Sequence, residues 1–161
     1  MRTVLETIFC TGFVPVVALH NARKAIGLAK ALEKGGIPII EVTYRTAEAS
    51  ECIQAICSEC PGVIVGAGTI LTVEQAVQAV SCGAKFIVSP GYNKAVVEYC
   101  CKHDIPIIPG VSNATEIQDG VAAGLKVLKL FPVEPLGGIS AINFWLLHFP
   151  ESAFCRLAVF S

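Results

Sequence analysis

The chain has 161 residues, of which 53% are hydrophobic, and its mean hydropathy is +0.64. These values favour one globular domain and exclude a disordered chain, which needs low hydrophobicity and high net charge. The formal net charge is −1, so no basic field indicates nucleic acid or a membrane surface as a partner. No uncharged apolar run reaches the roughly 18 residues of a membrane span. The eight cysteines lie mostly in apolar patterns, and we expect a cytoplasmic protein with reduced thiols.

Six apolar runs recur along the chain at the spacing of strand–helix units. They are FVPVVAL, IPIIEVT, VIVGAG, KFIVSPG, IPIIPG and LKVLKLF, which begin at Phe13, Ile37, Val63, Lys85, Ile105 and Leu125. From the second run onward, successive runs begin 20 to 26 residues apart. Runs that are continuously apolar, rather than alternating, indicate parallel strands covered on both faces. The sequence therefore predicts a series of βα units, with CRLAVF at 155–160 as a candidate seventh strand.

Helix start signals separate these runs. The expected helix-initiating residues are Asn21, Thr46, Thr72 and Asn113. Gln75 and Glu116 follow the last two of them by three residues, which is the spacing of a capping box. Glycines at 35–36, 83 and 124 provide the expected stops.

Six βα units in series are compatible with an open doubly wound sheet or with a (β/α)8 barrel. GAGTIL at Gly66 resembles half of a dinucleotide fingerprint, but Leu71 stands where the last glycine belongs, and no GxxxxGK sequence is present. The barrel is favoured because the chemically distinctive residues follow the predicted strands, at the end where barrel active sites lie. These residues are Glu41, Thr43, Arg45, Thr69, Ser89, Pro90, Lys129 and Phe131. We predict an α/β fold of the (β/α)8 TIM-barrel type with about six to seven βα units.

Lys129 lies inside the apolar strand sequence VLKLF. Burial of a lysine disfavours its ammonium form and makes a neutral amine available as a nucleophile. Such an amine attacks a ketone to form an imine, while Glu41 on the same rim can move protons and Arg45 can bind a carboxylate through two hydrogen bonds. This set indicates covalent chemistry on a 2-keto acid. The pattern alone also allows Lys129 to be a charged residue that protects an edge strand.

Five blocks of the sequence carry a resemblance to a known family. They are IEVTYRT, VGAGTI, FIVSPG, IPIIPGV and LKLFPVEPLGG, between Ile40 and Gly138. In order and spacing they resemble the aldolases of 2-keto-3-deoxy-6-phosphogluconate (KDPG) and 4-hydroxy-2-oxoglutarate (KHG), over about residues 10 to 150. The resemblance implies a class I, Schiff-base aldolase. Such an enzyme cleaves KDPG to pyruvate and glyceraldehyde 3-phosphate, KHG to pyruvate and glyoxylate, or both.

The resemblance also implies roles for particular residues. Lys129 matches the Schiff-base lysine, and Glu41 matches the residue that acts as acid and base. The substrate-binding residues of the family are matched by Arg45, Thr69, Pro90 and Phe131. In the family the first two hold the substrate carboxylate and the last two form an apolar wall around the pyruvyl group. The resemblance implies no cofactor and no metal ion, a small-molecule substrate, and a homotrimer for a full-length chain.

The end of the sequence departs from the family pattern. The family has a Thr-Gly-Gly-type turn after strand seven and then an eighth strand, which supply phosphate-binding amides, whereas this chain reads FPESAFCRLAVFS. We therefore expect one domain over residues 1–161 that lacks strand eight and the phosphate-binding loops and leaves the first strand unpaired on one side. The alternatives are an inactive truncated fragment, a 2-keto-acid-binding pseudoenzyme, or another phosphate-handling barrel such as an isomerase. The sequence does not choose between KDPG, KHG and phosphogalactonate substrates.

Overall fold

The computed structural model describes residues 3–150 and two short strands at 153–154 and 158–159. In this part of the chain the helices are α1 (Val4–Thr11), α2 (Ala22–Lys34), α3 (Ala49–Glu59), α4 (Val73–Ser81), α5 (Lys94–Lys102), α6 (Ala114–Ala122) and α7 (Gly138–His148). The strands are β1 (Pro15–Val17), β2 (Ile39–Thr43), β3 (Ile64–Gly68), β4 (Phe86–Ser89), β5 (Ile107–Val111), β6 (Val127–Leu130), β7 (Ala153–Phe154) and β8 (Ala158–Val159). Strands and helices alternate from β1 to α7, as the apolar runs predict.

The strands form one sheet in the order β7-β6-β5-β4-β3-β2-β1-β8. Every pairing in it is parallel. Strands β1 to β6 are neighbours in chain order and form a half-barrel, so each connecting helix packs back on the sheet in the same sense. The predicted parallel α/β architecture is therefore confirmed.

The ends of the sheet differ from the expected ones. Ala153–Phe154 pairs with β6, and Ala158–Val159 pairs with β1, on the side where we expected β1 to be unpaired. The candidate seventh strand was predicted at 155–160, and its residues 158–159 form β8, next to β1. Residues 155–157 and 160 lie outside the described residues. A short apolar segment does not show in its own sequence which strand it will join, because pairing depends on how the whole sheet curves.

Three predicted helix starts are found and accept a backbone hydrogen bond of 3.0 to 3.3 Å from the residue three positions on: Asn21, Thr72 and Asn113. The two expected capping boxes are displaced by one residue. Gln75 accepts from the N–H of Leu71 at 2.7 Å, and Glu116 accepts from the N–H of Ser112 at 2.6 Å. Gln75 and Glu116 therefore hold the backbone of Leu71 and Ser112, which lie in the loops that lead from β3 and β5 into the next helix.

Thr46 does not begin a helix, and that prediction is wrong. Its hydroxyl donates a hydrogen bond of 2.6 Å to the carbonyl of Leu19, and α3 begins three residues later at Ala49 without a side-chain cap. The hydroxyl instead ties the loop after β2 to the loop after β1. This long-range partner cannot be read from the local sequence.

The sheet is buried on both faces, as continuous apolar strands require. Its outer face packs under the helices through a cluster that includes Ile40, Val42, Val65, Ala67 and Ile87. Its inner face holds a second cluster, formed by Ile8, Val14, Ile39, Phe86, Val88, Ile108 and Val127. Because strand side chains alternate between faces, Glu41 follows Ile39 and Lys129 follows Val127 on the inner face. None of the helices within residues 3–150 has the length and apolar character needed to cross a bilayer.

Candidate active site

Lys129 lies on the inner face of β6 and is 8% exposed. Its strand is paired on both sides, by β5 and by β7, so Lys129 does not protect an exposed edge. Its Nζ lies 4.7 Å from the centroid of the Phe131 ring, which is half-buried just beyond the strand. An amine in this position has an apolar wall on one side and faces the C-terminal rim of the sheet.

Glu41 lies on the inner face of β2 and is 1% exposed. Its Oε2 has no hydrogen-bond partner among the described residues. Burial raises the pKa of the Glu41 carboxyl from 4.5 to about 7, against the opposing effect of the positive charges of Lys129 and Arg45. Near neutral pH this carboxyl is therefore present in both protonation states, which is what a group that both donates and accepts protons requires.

Arg45 and Thr69 follow β2 and β3. Arg45 is exposed in the turn after β2, near enough for its charge to lower the Glu41 pKa. Thr69 is half-buried and has a φ of 59°, a left-handed conformation that β-branched residues rarely adopt. Strain of this kind concentrates at functional sites. The hydroxyl of Thr43 donates to the carbonyl of Val17 at 3.1 Å, so it joins two strands.

Pro90 is half-buried in the turn after β4. The buried hydroxyl of Ser89 donates to the carbonyl of Gly91 at 2.8 Å and closes this turn around Pro90. Gly110 pairs with Lys129 across β5 and β6, and a Cβ atom on Gly110 would overlap the Pro90 carbonyl. Pro90, Gly110 and Lys129 are therefore successive neighbours on the inner face.

Of the six predicted site residues, Glu41 and Lys129 lie within β2 and β6. The other four follow the C-terminal ends of β2, β3, β4 and β6: Arg45, Thr69, Pro90 and Phe131. Lys129 contacts Phe131, and its charge acts on Glu41, as does that of Arg45. Pro90 lies near Lys129 because its carbonyl packs against Gly110, which pairs with Lys129. Sequence reasoning missed the glycines at 66, 68 and 110, which leave inner positions of β3 and β5 without a side chain. Glycine inside a strand was the available signal, because it often marks a close approach of another group.

Two clefts of the described residues contain none of Lys129, Glu41 and Arg45. One of about 680 Å³ lies between α5 and α6, lined by residues such as Val97 and Asp119. Another of about 320 Å³ borders Pro90 and Leu71. The candidate site is therefore identified by the convergence of charged and apolar groups on the inner face, and not by cleft size.

A parallel α/β half-barrel with a buried amine, a buried carboxyl and an arginine at its C-terminal rim is an architecture suited to enzymes that act through an imine. The sequence profile of the family described as KDPG and KHG aldolase matches residues 5–157. The 2-dehydro-3-deoxy-phosphogluconate aldolase of Treponema pallidum (strain Nichols) is 49% identical over 143 residues, which are 89% of this chain and 68% of that protein. The chain belongs to the KDPG and KHG aldolase family, as the five sequence blocks predict.

Solved structures of similar proteins agree. The 2-keto-3-deoxy-6-phosphogluconate aldolase of Zymomonas mobilis ZM4, crystallised with 3-phosphoglycerate, is 33% identical, with a TM-score of 0.92 over 100% of this chain and 77% of that chain. The KDPG aldolase of Legionella pneumophila is 33% identical, with a TM-score of 0.89 over 94% of this chain and 74% of that chain. That structure holds pyruvate captured at low pH as a covalent carbinolamine intermediate.

Proposed function

We propose that this chain is a Schiff-base aldolase. It cleaves KDPG to pyruvate and glyceraldehyde 3-phosphate, or KHG to pyruvate and glyoxylate, or both. The observation that carries the proposal is the buried amine of Lys129, which lies over Phe131 and within electrostatic reach of the buried Glu41 carboxyl. The relatives named as KDPG aldolases support the substrate class, and the pyruvate carbinolamine of the Legionella enzyme supports the covalent step.

In the first stage Lys129 captures the substrate. Its Nζ attacks the C2 ketone carbon, the ketone oxygen takes up a proton, and a carbinolamine results. Loss of water then gives the imine. Ionised Glu41 accepts a proton from the attacking amine, and protonated Glu41 donates one to the departing hydroxyl. The pKa of about 7 supports both roles at neutral pH.

In the second stage the imine draws electrons from the C3–C4 bond. A base removes the proton of the C4 hydroxyl, C4 leaves as an aldehyde, and the electron pair of the broken bond forms an enamine between C2 and C3. Protonation at C3 gives the imine of pyruvate, and water releases pyruvate and returns the Lys129 amine. Throughout, Arg45 and Thr69 bind the substrate carboxylate, while Pro90 and Phe131 pack against the pyruvyl group.

Several features of the family description belong to the same proposal. An incomplete (β/α)8-type barrel and a single domain over residues 1–161 are supported by the half-barrel of β1 to β6, which β7 and β8 extend at its two ends. A homotrimer is compatible with the exposed apolar side chains of Phe9, Leu71 and Val77, and sedimentation analysis tests it. A cytoplasmic location fits the seven free cysteines of the described residues.

The proposal is tested by measuring pyruvate release from KDPG and from KHG, coupled to lactate dehydrogenase and NADH consumption. Lys129→Ala should reduce release to the background rate, because the imine cannot form. Lys126→Ala is the matched control, since Lys126 is an exposed lysine three residues earlier, and it should stay within about twofold of wild type. Full activity of the Lys129→Ala protein would contradict the mechanism, and no release by the wild type would favour a pseudoenzyme.

A further inference from the structure

The inner face of β3 carries two glycines, and each has a large side chain from a neighbouring strand lying against it. A Cβ atom on Gly66 would overlap the ring of Phe86, which reaches across from β4. A Cβ atom on Gly68 would overlap the Glu41 carboxyl group, with Cδ at 2.6 Å and Cγ at 2.8 Å. Neither glycine has a positive φ, so backbone conformation does not explain why glycine stands at these positions.

The register of the sheet explains why the Glu41 carboxyl lies against Gly68. Glu41 pairs with Gly66, and Thr43 pairs with Gly68, so Gly68 lies one pleat nearer the rim than Glu41. The Glu41 side chain leans along its strand toward the rim, a direction that strand side chains commonly take. On the inner face, the space next to Gly66, farther from the rim than Gly68, is filled by the fully buried ring of Phe86.

We propose that Gly68 is a positioning residue for catalysis: its missing side chain provides the space in which the Glu41 carboxyl is held on the inner face, facing Lys129. The inference rests on the proposed function only in giving Glu41 the role of acid and base. The placement itself follows from the contact between the two residues. Gly68 touches neither the substrate nor Lys129 in this account and acts through Glu41.

The consequence of filling that space follows from what surrounds it. In a Gly68→Ala protein the carboxyl must leave its present position, and Phe86 prevents it from moving deeper. It therefore moves toward the rim, toward solvent and Arg45. A displacement of about 1 Å in a reacting group costs on the order of 100-fold in rate, so we expect kcat to fall by about that factor.

A titration of Glu41 reports this displacement without any use of activity. Burial is the main cause of its raised pKa, so a carboxyl moved toward solvent should titrate closer to 4.5. Carbon-13 NMR of protein labelled at the glutamate carboxyl carbons measures this pKa, and the resonance missing from Glu41→Gln assigns it. Gly66→Ala is the matched control, because its methyl group crowds Phe86 on the same strand face and not Glu41.

A double-mutant cycle separates positioning from general damage to the fold. Aspartate is one methylene shorter than glutamate, so in the combined Glu41→Asp, Gly68→Ala protein its carboxyl leaves free the space that the added methyl group fills. The two changes should therefore be strongly non-additive in kcat, whereas independent damage would be additive. A Glu41 pKa that stays near 7 in Gly68→Ala, with kcat within about twofold of wild type, overturns the proposal. If wild type has no aldolase activity, the proposed function fails, and the titration still decides the placement.

Discussion

Replacing Glu41 by glutamine should stabilise the fold relative to wild type more and more as pH rises. The pKa of the Glu41 carboxyl is raised from 4.5 to about 7, first of all by burial. A carboxyl whose pKa is higher in the folded than in the unfolded state contributes stability below its unfolded pKa, and that stability is lost as pH rises through the folded pKa. Glutamine does not ionise, so the free energy of unfolding of the variant does not fall for this reason as pH rises.

The expected magnitude follows from the difference between 4.5 and about 7, which is about 2.5 pKa units. Each unit corresponds to about 1.4 kcal/mol. Wild type should therefore lose about 3 kcal/mol, relative to Glu41→Gln, between about pH 4 and about pH 8. This is a large share of the roughly 5–15 kcal/mol by which a domain is stable. The fold thus carries a cost in stability for a group that is useful in proton transfer.

The assay is guanidinium unfolding of both proteins across this pH range, followed by the fluorescence of Trp145. This residue packs against the buried cluster of Val111, Ile117 and Leu128, so its emission reports the contact of α7 with the sheet. The quantity to plot is the difference between the two free energies of unfolding, since other titrating groups cancel in it. Glu51→Gln, at an exposed position of α3, controls for the loss of one carboxylate. A Glu41→Gln difference that stays within about 0.5 kcal/mol across the range would refute the reasoning.

Three further predictions concern the rim and the surface. Ser89→Ala removes the hydrogen bond from Ser89 to the Gly91 carbonyl. It should raise KM for the keto acid by about tenfold, which corresponds to the loss of one hydrogen bond, with kcat nearly unchanged, and a KM equal to that of wild type would contradict this. Thr69→Gly should raise the free energy of unfolding by about 1 kcal/mol by relieving strain and weaken pyruvate binding, and a less stable variant would contradict it. Leu147 is 78% exposed on α7, so Leu147→Lys should reduce light scattering at unchanged melting temperature, whereas Ile142→Lys, on the buried side of the helix, should unfold the protein.

The sequence predicted those features that depend on local order. The strands from β2 to β6 fall on the predicted apolar runs, and only β5 extends beyond its run, by one residue. Asn21, Thr72 and Asn113 cap helices as predicted, because strand and cap patterns span only a few residues. The alternation of side chains along a strand also predicted correctly that Glu41 and Thr43 share a face. The same rule placed Lys129 on the inner face of β6.

Features that depend on contacts across the fold were not predictable. The hydroxyl of Thr46 bonds to Leu19 in another loop, and the segment at 158–159 joins β1 rather than continuing after β6. Gly68 and Gly110 were part of recognised blocks, but their contacts with Glu41 and Pro90 arise from the pairing of strands. The raised pKa of Glu41 likewise comes from burial on a face that forms only when the sheet curves.

The central claim is that the amine of Lys129 forms an imine with a 2-keto acid, and reductive trapping tests it most directly. The protein is incubated with pyruvate and sodium borohydride, digested, and mapped by mass spectrometry. We predict a carboxyethyl group on the nitrogen of Lys129, and no trapping in the Lys129→Ala protein. Modification of Lys126 in place of Lys129, or trapping that is unchanged in Lys129→Ala, would contradict the account.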